Sequence, residues 1–138
     1  MVERDGEVVK VHVGPVALPE LEAAVVAGGA ELSSAADASA LVWYGGPPEQ
    51  FAELDHPGLE WVQLPSAGIE PWAASGALRD GVTFTSAAGT YAQTVAEHAL
   101  GLMLVGARQV HLMARASRWA KPDGMRGGQG STVGILRA

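Results

Sequence analysis

The chain has 138 residues, of which 48% are hydrophobic and 17% charged, so we expect one domain with a substantial core and no extensive disorder. Fifteen acidic residues against nine basic ones give a net charge of −6, which argues against nucleic acid or an anionic membrane as a partner. Cysteine is absent, which excludes disulfides, thiolate nucleophiles and cysteine-ligated metal sites.

The N-terminal residues do not have the pattern of a secretory signal, because charged residues crowd positions 3–7 and no apolar core follows them. The longest strongly apolar stretch, residues 99–107, is about half of the ~20 residues that span a bilayer. We therefore expect a cytoplasmic protein with no membrane partner.

Strand and helix patterns alternate along the first two thirds of the chain. Strands are predicted over residues 8–13, 41–44, 59–64 and 82–85, and helices over residues 18–27, 48–54 and 69–78. Most of these strands lack a period-2 pattern, which is typical of strands buried on both faces. The alternation predicts an α/β fold with a doubly wound parallel sheet.

A long helix is predicted over residues 92–115. Its centre, residues 100–106, is apolar on nearly all sides, so we expect it to be buried. Two overlapping capping boxes fit its start, Thr94 with Glu97 and Thr90 with Gln93. A linker is predicted over residues 121–130 and a new strand over residues 131–136.

Ligands of parallel sheets bind at the loops that follow the carboxyl ends of the strands. Three loops qualify, residues 44–48, 65–68 and 86–91. The loop 65–68 is the most informative, because backbone N–H groups between a strand and a helix form a concavity for carboxylate or phosphate. Gly68 allows close approach of a ligand. An ordinary strand–helix turn explains the same residues equally well.

Other chemistry has little support. The glycines of residues 127–130 precede a predicted strand, and Val133 stands where the third glycine of a dinucleotide fingerprint would be, so they indicate a flexible linker. The four histidines have no metal-binding spacing, and no serine lies in a nucleophile elbow. We therefore predict no metal site and name no catalytic residue.

Three motifs resemble the D-isomer-specific 2-hydroxyacid dehydrogenases: LEWVQLPSAGIE at residues 59–70, GTYAQTVAEHAL at 89–100 and GSTVGIL at 130–136. The resemblance implies a flavodoxin-like substrate (catalytic) domain over residues 1–120, which includes a long C-terminal interdomain helix. Residues 121–130 would then be the linker. Residues 131–138 would be the first strand of a Rossmann NAD-binding domain, with the active site in the cleft between the domains.

The resemblance also implies a substrate site. Backbone amides near Ala67 and Gly68, together with Ser66, would hold the carboxylate of a small 2-hydroxy or 2-keto acid. Tyr44 and Gly45 would border the side chain of that acid.

For the cofactor, the resemblance places Thr94 and Val95 near the phosphates of NAD or NADP. The sequence departs from the family after Leu136, because no G-x-G-x-x-G follows and the family's catalytic Arg, Glu and His have no counterpart. We expect a chain truncated before the glycine loop, without dehydrogenase activity of its own and without tight cofactor binding.

Two other functions remain open. The chain could be a stand-alone flavodoxin-like module that binds a carboxylate without catalysis, or an interaction module. The long helix, with Leu102, Met103 and Val110 as candidate apolar contacts, predicts self-association. The unpaired edges of the strand predicted at residues 132–136 favour the same outcome.

Overall fold

A computed structural model describes residues 3–4, 7–119 and 121–134. The chain divides into two compact units, Met1–Thr90 and Tyr91–Ala138, and each unit is described by itself.

A parallel five-stranded sheet forms the centre of the first unit. Its strands are β3 (Lys10–Pro15), β4 (Glu31–Leu32), β5 (Ala40–Tyr44), β6 (Trp61–Gln63) and β7 (Thr83–Thr85), after a small antiparallel pair of β1 (Glu3–Arg4) and β2 (Glu7–Val8). The order across the sheet is β4-β3-β5-β6-β7, so the first two strands of this sheet are exchanged relative to chain order. The mixed α/β class with a parallel sheet is confirmed, and the order is consistent with a flavodoxin-like fold.

Short helices connect these strands. They are α1 (Pro19–Ala27), α2 (Phe51–Leu54) and α3 (Glu70–Ser75), with 3₁₀ turns at Ala35–Asp37 and Pro48–Gln50. Proline occupies an early position of both α1 and α3, where its missing N–H costs nothing. Helix α3 ends at Gly76, whose φ of +74° is the left-handed conformation that ends many helices.

The core lies on the sheet face covered by α2 and α3. Its seven buried members are Leu41, Trp43, Phe51, Leu59, Val62, Leu64 and Trp72. The rings of Trp43 and Trp72 meet edge to face, with centroids 5.0 Å apart and planes at 89°. Such pairs add about 0.5–1.5 kcal/mol to the stability given by area burial. The Trp43 indole also donates a hydrogen bond to the carbonyl of Gly46, at 3.3 Å, so the core side chain reaches the loop after β5.

An ion pair joins the end of α2 to the segment before β7. Arg79 Nε lies 2.8 Å from Asp55 Oδ2, and Arg79 Nη2 lies 2.8 Å from Asp55 Oδ1, which is a bidentate pairing. The same Nη2 donates to the carbonyl of His56 at 3.1 Å. This guanidinium therefore fixes the two chain segments that flank β6.

The second unit contains α4 (Ala92–Ala107) and α5 (Val110–Ala114). The prediction of one helix over residues 92–115 is wrong in its continuity, because Gln109 has a φ of +51° and separates the two helices. The end of α4 is held by residues farther along the chain. The amide of Arg126 donates to the carbonyl of Ala107 at 2.8 Å, and Gln109 Nε2 donates to the carbonyl of Asp123 at 2.8 Å.

Two further expectations for this unit differ from the structure. No described residue of α4 is buried, so the expectation that the apolar residues 100–106 are buried is wrong. No side chain caps α4, whose N-cap is Tyr91; the Thr90 hydroxyl instead donates to the carbonyl of Ala87, and Thr94 lies inside the helix. The predicted last strand is not formed over residues 131–134, and residues 135–138 lie outside the described part.

Candidate functional site

The strand order reverses between β3 and β5, and ligands of open α/β sheets bind at such a point. The loops that follow these two strands are joined, because the amide of Val16 donates to the carbonyl of Tyr44 at 2.9 Å. Gly45 and Gly46 follow with φ of +73° and +74°. A Cβ at Gly45 would lie 2.5 Å from Val16 Cγ2, so only glycine allows this approach of the two loops.

The loops after β6 and β7 form a second joined pair. The amide of Leu64 donates to the carbonyl of Thr85 at 2.7 Å, and the amide of Ala87 donates to the carbonyl of Ser66 at 2.9 Å. Side chains add to this link, because the Thr85 hydroxyl lies 2.9 Å from Gln63 Oε1. The loop 65–68 is thus fixed by hydrogen bonds to the loop after β7, and its backbone is in place before any ligand binds.

The predicted carboxylate loop is exposed at all three of its candidate residues, Ser66, Ala67 and Gly68. The Ser66 hydroxyl donates to the carbonyl of Gly68 at 2.8 Å, which closes a tight turn. A Cβ at Gly68 would lie 2.6 Å from Glu70 Oε2, so the Glu70 carboxylate occupies the space beside this glycine. A carboxylate in this position opposes the binding of an anion. The sequence pattern did not predict that the Glu70 side chain would lie beside Gly68.

Three large apolar side chains are exposed at this edge of the sheet. Tyr44 is 39% exposed after β5, Val16 51% exposed after β3, and Ile69 42% exposed just before α3. Tyr44 and Gly45 were candidate residues from the sequence, whereas Val16 and Ile69 were not. Val16 and Ile69 are isolated aliphatic residues, and nothing in the sequence around them indicates a ligand site. Val16 lies beside Gly45 only because β3 and β5 are neighbours in the sheet.

The cofactor candidates Thr94 and Val95 lie in the first turn of α4, in the second unit. The amide of Val95 already donates to the carbonyl of Tyr91 at 3.0 Å, and its side chain is exposed. No side chain caps this helix, so the amides of its first turn have no side-chain acceptor. Such a helix start suits the phosphates of a dinucleotide.

Within the described residues, no three His, Asp or Glu side chains are grouped closely enough to hold a metal ion. Two histidines have structural partners instead: His12 Nδ1 lies 3.1 Å from the carbonyl of Ser33, and His56 Nδ1 accepts from the amide of Gly58 at 3.2 Å. Of the helices in the described part of the chain, none has the length and apolar character needed to cross a bilayer.

Fold and edge together define a mixed α/β domain with a candidate ligand site at the carboxyl edge of a parallel sheet. A curated protein of Corynebacterium melassecola, described as "Uncharacterized protein in proB 3'region", is 36% identical over 104 residues. The match covers 74% of this chain and 32% of that relative, so the chain spans about a third of the relative's length. No protein-family model and no solved structure matches the chain.

Proposed function

We propose that Met1–Thr90 binds the carboxylate of a small 2-hydroxy or 2-keto acid, as part of the substrate domain of an NAD(P)-dependent 2-hydroxyacid oxidoreductase. The observation that carries this proposal is the carboxyl edge, where the loops after β3 and β5 are joined at the strand-order reversal and the loops after the next two strands, β6 and β7, form a second joined pair. The proposal includes a flavodoxin-like doubly wound sheet and α4 as the start of an interdomain helix.

Two independent features support the proposal. The three motifs at residues 59–70, 89–100 and 130–136 include the loop that the edge presents and the first turns of α4. The relative has roughly 325 residues, because the 104 matched residues are 32% of it, and that length is usual for two domains. A second domain is what a hydride-transfer enzyme of this kind needs for its cofactor.

In the proposed site, the amides of the loop 66–68 receive the substrate carboxylate, and hydrogen bonds from backbone N–H groups to an anion are stronger than those to a neutral group. The exposed side chains of Tyr44 and Val16 border the substrate's carbon chain. NAD or NADP, when bound, supplies or accepts the hydride. In the second unit, the uncapped first turn of α4, which contains Thr94 and Val95, would hold its phosphates through the amides that precede Val95, because the Val95 amide itself is bonded to the carbonyl of Tyr91.

The test is an amide-resolved NMR titration of the whole chain with glyoxylate and pyruvate, and with acetate and propionate as acids that lack the 2-oxo group. The proposal expects shifts concentrated at the amides of residues 45–46 and 66–68, larger for the 2-oxo acids. Equal shifts for all four acids, or shifts spread over the acidic surface, would contradict it.

Two variants sharpen the titration. Glu70→Gln removes the carboxylate beside Gly68, and should tighten binding about fivefold, the effect of roughly 1 kcal/mol between unit charges near 4 Å in water. Glu53→Gln in α2 makes the same change of charge at another exposed position and is the matched control, for which we expect little change. If the two variants respond equally, the ligand is sensing net charge and not this loop.

A further inference from the structure

The carboxyl edge of the first unit offers a ligand no lysine or arginine side chain. Within residues 7–90, all of which the structure describes, these residue types occur at Lys10 and Arg79. Lys10 opens β3 and therefore lies at the amino edge of the parallel sheet, opposite the candidate site. Arg79 is held in its bidentate pair with Asp55, which precedes β6. In this part of the chain, a negative group at the carboxyl edge therefore depends on backbone amides.

The amides that would hold a ligand carboxylate already face a negative side chain. The Glu70 carboxylate fills the space beside Gly68, where a Cβ would lie 2.6 Å from Oε2. Two unit charges ~4 Å apart in water change an affinity by about fivefold. The loop 66–68 can hold one ligand carboxylate against this repulsion, and a second carboxylate nearby would add repulsion without meeting a counter-charge.

The spacing of the strands sets the length of ligand that reaches the exposed apolar side chains. The loop 66–68 follows β6, Tyr44 ends the neighbouring strand β5, and Val16 follows the next strand, β3. Neighbouring strands lie about 4.8 Å apart, so Tyr44 is about one spacing and Val16 about two spacings from this loop. An extended acid with four carbon–carbon bonds of ~1.5 Å crosses the first spacing, and its terminal methyl group enters the second.

We propose that the ligand is a 2-oxo or 2-hydroxy acid with a single carboxylate and an aliphatic chain of about three carbons beyond C2, the length that extends from the loop 66–68 toward Val16. This inference rests on the proposed function and adds the class of substrate. The chain end meets Tyr44 and Val16, which are 39% and 51% exposed. A second carboxylate at that end would lose water to apolar side chains and gain no cation in return.

Three ligands test this class in amide-resolved NMR titrations of the whole chain. They are pyruvate, 2-oxopentanoate and 2-oxopentanedioate, and the last two share a carbon skeleton and differ only in the terminal group. We expect 2-oxopentanoate to bind about fourfold tighter than pyruvate, the effect of one methylene fully removed from water, because its two extra methylenes stay partly exposed. We expect 2-oxopentanedioate to bind at least about fivefold weaker than 2-oxopentanoate, because its second carboxylate adds repulsion and replaces an apolar contact.

Val16→Lys places a cation at the apolar end of the site and should reverse this preference, so that 2-oxopentanedioate binds tighter than 2-oxopentanoate. Val26→Lys is the matched control, because Val26 is 56% exposed and makes the same change of net charge. It lies near the end of α1, which connects the end of β3 with the start of the parallel strand β4 and so runs back to the amino edge. This control should leave the order of the two ligands unchanged.

The outcomes distinguish a failure of this inference from a failure of the proposed function. If none of the three acids shifts the amides of residues 66–68, both are wrong. If these amides shift but 2-oxopentanedioate binds the wild type as tightly as 2-oxopentanoate, the carboxylate loop stands and the apolar substrate class is wrong. Equal effects of Val16→Lys and Val26→Lys would also contradict the class, because the ligand would then respond to net charge and not to the side chain at its end.

Discussion

The two units of this chain handle apolar residues in opposite ways. In Met1–Thr90 the seven core residues include the rings of Trp43, Phe51 and Trp72, which pack against one another beside the sheet. In Tyr91–Ala138 no described residue is buried, although residues 99–107 in α4 are the longest strongly apolar stretch of the chain. The difference shows that an apolar segment becomes buried only where other elements of the fold pack against it.

Stability follows the same division. An isolated helix near 12–15 residues is marginal in water, and most helical stability in proteins comes from a packed face. The three helices of the first unit are short, and α2 and α3 each contribute a buried ring, Phe51 and Trp72. Helix α4 has 16 residues and no buried side chain. We therefore expect the first unit to unfold cooperatively and the second to open at lower free energy.

The largest expected effect is at the centre of the core. Trp72→Ala removes a ring that is 3% exposed and contacts Trp43, Phe51 and Phe84. It should lower the free energy of unfolding by about 3–5 kcal/mol, the usual cost of truncating a buried large aromatic residue. Urea denaturation followed by circular dichroism measures the change.

The matched control is Trp119→Ala in the second unit, where the ring is 93% exposed. An exposed substitution of this kind should change the free energy of unfolding by less than about 0.5 kcal/mol. If the two variants lost similar free energies of unfolding, the second unit would share the core of the first, and the contrast between a packed and an unpacked unit would be wrong.

A smaller effect is expected at the candidate site. Gly45→Ala combines a left-handed backbone with a Cβ placed 2.5 Å from Val16 Cγ2 and 2.8 Å from Val16 Cβ, so rotating the valine side chain does not relieve the contact. Conformational strain and overpacking together should lower the free energy of unfolding by about 2–3 kcal/mol.

Gly76→Ala separates these two causes. Gly76 has nearly the same φ, +74°, but a Cβ there meets no atom within 4 Å, so only the backbone term of about 1 kcal/mol should remain. Thermal unfolding of the two variants measures the difference. If Gly45→Ala is no more destabilising than Gly76→Ala, the loops after β3 and β5 separate easily and the edge is less preformed than proposed.

Much of the fold was predictable because local chemistry decides it. The β-branched run before Gly14 and the proline and glycine signals around α1 gave elements close to those observed. The edge strand β4 was not predictable, since Glu31 and Leu32 are both exposed and pair with β3 only through the backbone. The continuous helix over residues 92–115 was wrong, because nothing in the composition signals the left-handed Gln109.

The candidate site divides along the same line. The loops themselves follow from strand ends, so Tyr44, Gly45 and the stretch at 66–68 could be singled out from the sequence. The partners that hold those loops could not, because the bonds from Val16 to Tyr44 and from Ala87 to Ser66 join segments about twenty or more residues apart. The carboxylate of Glu70 beside Gly68 depends on how α3 begins, and a sequence pattern does not show that.

The smallest expected effect tests the second unit directly. Gly101 and Gly106 lie within α4, and an added Cβ at either position meets nothing within 4 Å. Replacing each by alanine should stabilise the helix by about 0.5–1 kcal/mol, because glycine loses more backbone entropy than alanine on becoming helical. Slower amide hydrogen exchange along α4 and a stronger helical circular dichroism signal measure this gain.

The control for these variants is Gly127→Ala, which adds the same methyl group in open space outside any helix and should leave α4 unchanged. The midpoint of the first unit's urea transition should also be unaffected by Gly101→Ala and Gly106→Ala, since its core contains no residue of α4. A rise in that midpoint would show that α4 and the core unfold together. The division into a packed unit and a marginal one would then have to be replaced by a single cooperative domain.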